Sequence, residues 1–201
     1  MPVIDANQGD ASILKNPTYV KRITCLASLT PVPYPLGPII TPSERTLSDL
    51  LRRIATPCIG VCSTGIGDDV CRGCKRFSHE VIHWNSYSQE QKRSIDQRLD
   101  RFLVQVMADK LSISDVNLLR WQLDVQRIRY NPQKDIYVAL FQLLRAGAAQ
   151  IDDPKSFGFQ LNHDWQGYTL LALREIIDRE FYLLSAAHYE RYIGRYLSKE
   201  G

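Results

Sequence analysis

The sequence predicts a mainly α-helical fold, and three observations carry the prediction. Apolar residues recur at helical spacing through several long segments. Ser88 and Gln91 form a capping box at the head of the longest. Four cysteines crowd a glycine-rich stretch with no room for a long element. Together they describe a small four-cysteine module packed on a long helix. A helical C-terminal region follows it and an extended proline-rich arm precedes it. The expected divisions are 1–42 for the arm, 43–110 for the module with its flanking helices, and 111–201 for the C-terminal region.

Seven of the ten prolines lie in residues 1–42, and the run Pro31 to Pro38, PVPYPLGP, favours polyproline II and forbids helix. Val32, Tyr34, Leu36, Ile39 and Ile40 give this arm apolar anchors, while Cys25 stands alone in it and reads as an inert thiol. Ser43 opens a helix with Glu44 in its first turn; Leu47, Leu50, Leu51 and Ile54 follow in register, and Pro57 ends it. Residues 56–76, TPCIGVCSTGIGDDVCRGCKR, are turn-rich. Ser78 to Trp84 reads as a short helical turn.

The helix behind Ser88 carries Ile95, Leu99, Phe102, Leu103 and Val106 on its dry face. Lys92, Arg93, Asp96, Gln97, Asp100 and Arg101 are mostly on its wet one. Ser112 and Asp115 offer a second capping box before Val116, Leu119 and Leu123. Asn131-Pro132 reads as an N-cap with proline in the first turn of a helix bearing Ile136, Leu140, Leu143 and Leu144. The competing reading of 123–142 is a hairpin in which Ile128, Tyr130, Ile136 and Val138 alternate. Residues 147–167 read as loop. Residues 168–197 return to helix through Leu170, Leu173, Ile176, Ile177, Phe181, Leu184, Tyr189 and Ile193.

Composition narrows the function classes. With 25 Lys and Arg against 22 Asp and Glu, the formal charge of +3 excludes a polybasic protein and an acidic disordered tail. A nucleic-acid partner is unsupported. No apolar run approaches the roughly 18–20 residues of a spanning helix, so no membrane partner is expected. The opening MPVIDANQGD has no basic n-region before an apolar stretch, and it carries Asp5 and Asp10, so the expected location is cytoplasmic. In that reducing compartment a tight cysteine cluster predicts a metal site rather than disulfides.

The cluster is Cys58, Cys62, Cys71 and Cys74, spaced C-x3-C, eight residues, then C-x2-C. Four thiolates this close converge on one centre, and short glycine-rich loops let the backbone turn tightly enough to bring them there. Zinc and an iron–sulfur cluster both accept four cysteines, so the cofactor stays undecided between them. Either way the protein fills every ligand position, which suits a structural or electron-transferring centre and not a hydrolytic one. Arg72, Lys75 and Arg76 would offset the charge of four thiolates. His79 and His83, four apart on one helix face, and Trp84 are further residues expected around the ligands.

TPCIGVC, the following CRGC, Glu80, Trp84 and the Ser88-x-Glu90-x-Lys92 helix start resemble the short bacterial proteins of domain of unknown function family 1289. That family is usually labelled as predicted Fe–S protein. The resemblance spans roughly residues 55–103. It implies a compact cysteine-metal module packed on the following helix, with Cys58, Cys62, Cys71 and Cys74 as ligands, and it supplies no reaction. Where family members carry an Arg-Thr pair before the short helix, this chain has Arg76-Phe77, and Ser78 is the substitute cap.

Nothing elsewhere predicts catalysis. His163-Asp164 has no Gly-x-Ser-x-Gly elbow to complete a triad, and no Walker loop, dinucleotide fingerprint or HExxH is present. Glu175, Asp178, Arg179 and Glu180 read as surface ion pairs. Tyr182, Tyr189, Tyr192 and Tyr196, set among His188, Arg191 and Arg195, read as a partly buried helix face. The expectation is therefore a non-catalytic interaction or adaptor protein whose module is held by metal and which meets a protein partner. The alternative is an iron–sulfur electron-transfer or redox-sensing protein.

Overall fold

The structure is a computed structural model that describes residues 54–194. The proline-rich arm, Cys25 and most of the helix expected from Ser43 lie outside the described residues. Ile54, the last apolar position of that helix, is not helical, and its N–H donates to Gln89 Oε1 at 2.9 Å.

The fold is mainly helical, with a helical C-terminal region. The elements are α1 (Ser78–Ile82), α2 (Gln89–Lys110), β1 (Leu111–Ile113), α3 (Val116–Val125), α4 (Ile136–Gly147), β2 (Phe159–Leu161) and α5 (Leu170–Tyr189). A π-helical turn, Glu190–Gly194, follows α5. Among the described residues no helix is long and apolar enough to cross a membrane. The chain divides into two compact units, one of Asp100–Phe181 and one in which residues 54–99 and 182–194 come together.

In the first unit, β1 pairs antiparallel with β2, with Leu111 opposite Leu161 and Ile113 opposite Phe159. This pair corrects two expectations. The segment 147–167 is not all loop, because three-residue strands are too short for alternation to show. Ser112 belongs to β1 and caps nothing; Asp115 alone caps α3, its carboxylate accepting from the N–H groups of Asn117 and Leu118. Gly158 holds this corner: its carbonyl accepts from Ser114 and Asp115, and a Cβ there would meet the Asp115 carbonyl oxygen at 2.3 Å. Asp115→Ala should cost about 1 kcal/mol of stability in thermal unfolding, the usual loss for an N-cap. A change under about 0.3 kcal/mol would mean that the corner, not the cap, starts α3.

Helix α4 settles the choice between helix and hairpin in favour of helix, but it starts later than Asn131-Pro132 predicts. Asp135 is the cap, accepting from Tyr137, while Asn131 forms a local turn with the Gln133 N–H. The helix buries Leu140, Leu143 and Leu144 as expected. Glu180 departs from the surface reading: it is buried, and its carboxylate accepts from the ammonium of Lys110.

The second unit is built on Val70, Phe77 and Tyr189, with Tyr182, Ala186 and Ile193 packed against them. The C-terminal aromatic face is thus partly core, as its spacing predicts, while Arg195 and Tyr196 lie outside the described residues. The capping box at the head of α2 forms in both directions: the Ser88 N–H donates to Gln91 Oε1 and the Gln91 N–H to Ser88 Oγ. Ile95 and Leu99 are buried as their spacing predicts.

Candidate metal centre

The Cys71–Cys74 segment is shaped by what flanks it. Val70 and Phe77 are buried apolar residues that form an isolated antiparallel bridge, and the chain between them reverses in a tight turn. The Cys71 N–H donates to the Arg76 carbonyl and the Lys75 N–H to the Cys71 carbonyl, each at 2.8 Å. Lys75 takes a left-handed backbone conformation, φ 61°, which is unfavourable for a residue with a Cβ. Its side chain compensates. Only 1% exposed, it curls back so that Nζ donates to the carbonyls of Arg72 at 2.7 Å and Gly73 at 3.2 Å.

The Cys58–Cys62 segment lies directly on this turn. A Cβ at Gly73 would sit 2.3 Å from the Val61 carbonyl oxygen, so the close approach needs glycine there. The Cys71 thiol donates to that same carbonyl at 3.6 Å, and the Arg72 N–H donates to Ser63 Oγ at 2.9 Å. Within the Cys58–Cys62 segment, the Gly60 N–H donates to Cys58 Sγ at 3.4 Å. Cys71 and Cys74 are buried, whereas Cys58 and Cys62 are exposed.

The two buried sulfurs differ electrically. Burial pushes the Cys71 thiol up, but the backbone N–H groups of Cys74, Ser63 and Gly73 outweigh it and bring it down to about 7. Burial wins at Cys74 and pushes its thiol up, against the opposing pull of Arg76. Arg76 Nε donates to Cys74 Sγ at 3.2 Å, with the guanidinium carbon 4.7 Å from the centre of the Trp84 ring.

Phe77 leads into α1, where its N–H donates to Glu80 Oε2 at 2.9 Å. Phe77 is the capping position, so Ser78 is the first helical residue and not the substitute cap. Glu80 is also gripped by Arg98 of α2 in a bidentate pair, 2.6 Å and 2.7 Å, with both residues buried. The Arg98 guanidinium lies 3.7 Å from the centre of the Phe77 ring.

The other expected neighbours divide. Arg72 pairs with Asp68 at 2.8 Å on the surface. His79 lies beside the Phe77 ring at 5.8 Å, and burial lowers its pKa; His83 is exposed. Among the described residues no group of three or more His, Cys, Asp and Glu side chains gathers as a metal cage. The four cysteines are the soft donors that a thiolate-bound metal takes, two of them buried in the turn and two exposed on the segment laid against it. His163 and Asp164 are 3.4 Å apart with the histidine 95% exposed, which is no catalytic environment. Sequence reasoning missed Arg98: its partner is 18 residues away, on a different helix, and no motif marks the pair.

Fold and site together define a mainly helical protein with a compact cysteine hairpin docked on helices. Residues 56–102 match the family described as "Protein of unknown function (DUF1289)", a stretch that takes in all four clustered cysteines, α1 and the first part of α2. No curated protein and no solved structure matches the chain.

Proposed function

We propose that Cys58, Cys62, Cys71 and Cys74 bind a zinc ion or an iron–sulfur cluster, and that the chain serves as a non-catalytic interaction protein with a metal-held module. The observation that carries this reading is the treatment of the buried pair. Cys71 and Cys74 are buried in one tight turn, a guanidinium donates to the Cys74 sulfur, and the Cys58–Cys62 segment lies against that turn, which puts four soft donors on two adjoining loops. Bound metal would cross-link two loops that otherwise rest on a few backbone contacts, so metal binding and local folding are coupled. Zinc supplies only that cross-link, and an iron–sulfur cluster adds one-electron chemistry. A reducing cytoplasm keeps such thiols available. Ile59 and Val61, which lie between Cys58 and Cys62 in the chain, are exposed apolar residues that suit a protein partner.

The test is elemental analysis and a visible spectrum of the full chain, purified anaerobically from iron-replete cells. One colourless zinc per chain supports the structural centre. Stoichiometric iron and sulfide, with absorbance that dithionite bleaches, support the electron-transfer or redox-sensing alternative. Cys71→Ser and Cys74→Ser should each reduce bound metal to background, while Cys25→Ser should leave it unchanged. A wild-type chain that takes up neither metal under these conditions overturns the proposal.

A further inference from the structure

We infer that Arg76 is a positioning residue for this centre, its Nε–H fixing the Cys74 sulfur toward the metal and its charge offsetting that of the thiolate. The inference rests on the metal reading above and adds the residue that aims one ligand.

The cations around the hairpin single it out. Lys75 Nζ donates to the carbonyls of Arg72 and Gly73, Arg98 is held by the carboxylate of Glu80, and Arg72 pairs with Asp68. Arg76 is different: it is 3% exposed, and its hydrogen-bond acceptor among the described residues is the Cys74 sulfur, 3.2 Å from Nε. Its Nη1 is buried with no partner among the described residues. A buried guanidinium is best satisfied by an anion, and Cys74 would supply one once metal binding takes its thiol proton. The Trp84 ring, 4.7 Å away, takes the guanidinium at the same time as the sulfur. A planar group held between a ring and a sulfur defines a direction, which a lysine ammonium on a flexible stem does not.

The test titrates the reduced, metal-free full chain anaerobically with cobalt(II) alone, in competition with a chelator. Wild type, Arg76→Gln and Arg76→Lys are compared, with circular dichroism as the check on folding. Arg76→Gln should weaken cobalt binding about 10–100-fold, the usual cost of losing a group that orients a metal ligand. The sulfur-to-cobalt charge-transfer band should move to lower energy, because the sulfur has lost an N–H donor. Arg76→Lys, which keeps the charge, should recover part of the affinity. A purely structural role for Arg76 would leave the band of the bound fraction unmoved, and that result overturns the inference. If Arg76→Gln does not fold, Arg76→Lys carries the test: intermediate affinity with a shifted band supports the inference, and wild-type affinity and band reject it. A wild-type chain that binds no cobalt overturns the metal reading and this inference with it, whereas wild-type binding that Arg76→Gln leaves unaltered overturns the inference alone.

Discussion

Glu80→Gln should destabilise the cysteine-bearing unit by about 3–5 kcal/mol, because it leaves the Arg98 guanidinium buried without its counter-charge. The expected size follows from how completely the pair is enclosed. Both oxygens of Glu80 are taken by the two terminal nitrogens of Arg98, at 2.6 Å and 2.7 Å, and one of them also receives the Phe77 N–H. Arg98 Nε already lacks an acceptor among the described residues, so the guanidinium has nothing to fall back on there. The loss should spread to the hairpin. Phe77 lies under Arg98, bridges Val70 and packs on Tyr189, so loosening it frees the turn that presents Cys71 and Cys74. Amide exchange at Cys71, Lys75 and Ser78, whose N–H groups close that turn, reads the effect directly. Replacing both partners with apolar residues of similar volume should recover most of the loss in the packing around Phe77. An exchange pattern that Glu80→Gln leaves unaltered would show that the turn is held by its own backbone bonds.

What the sequence makes legible follows the range of the interactions involved. Helix α2 is announced by a capping box whose two hydrogen bonds span three residues, and its dry face repeats within the helix itself. The Cys71–Cys74 turn is likewise local, so its cysteine spacing and Gly73 stand in the sequence as a motif. Length defeats the reading of β1 and β2: each has three residues, and their pairing joins positions 111–113 to 159–161. The start of α4 is misplaced because two Asx caps compete within five positions. Asn131 closes a turn on Gln133, and Asp135 is the one that begins the helix. At the candidate site, residue types are readable and their partners are not. Lys75 is legible as a cation near the cysteines, but that its ammonium donates to the carbonyls of Arg72 and Gly73 is not. Arg76 meets the Cys74 sulfur, since the turn and Trp84 hold its side chain there. Buried charges are the hardest class, because Lys, Arg and Glu patterns predict surface unless a partner is known.

Glu180→Gln tests the second such pair, in the unit of residues 100–181, and should cost about 3–5 kcal/mol. Lys110 is fully buried at the end of α2, with Nζ on the Glu180 carboxylate, on Asp109 at 3.2 Å and near the Val106 carbonyl at 3.4 Å. The Trp165 ring lies 4.7 Å from the ammonium. Asp109 is a weaker replacement counter-charge, because a third of its side chain meets solvent and water screens it. The expected loss is therefore nearer 3 than 5 kcal/mol. Lys110→Met should cost a similar amount, since it strands the carboxylate instead. Lys110→Met combined with Glu180→Leu should return close to wild type, because neither buried charge remains to be compensated. Denaturant unfolding of wild type, Lys110→Met, Glu180→Leu and the double variant completes the cycle. A coupling energy below about 1 kcal/mol between the two positions would mean that Asp109 and the Val106 carbonyl hold Lys110 without Glu180. A large coupling would make this pair, 70 residues apart in sequence, the clasp between the end of α2 and the middle of α5 within that unit.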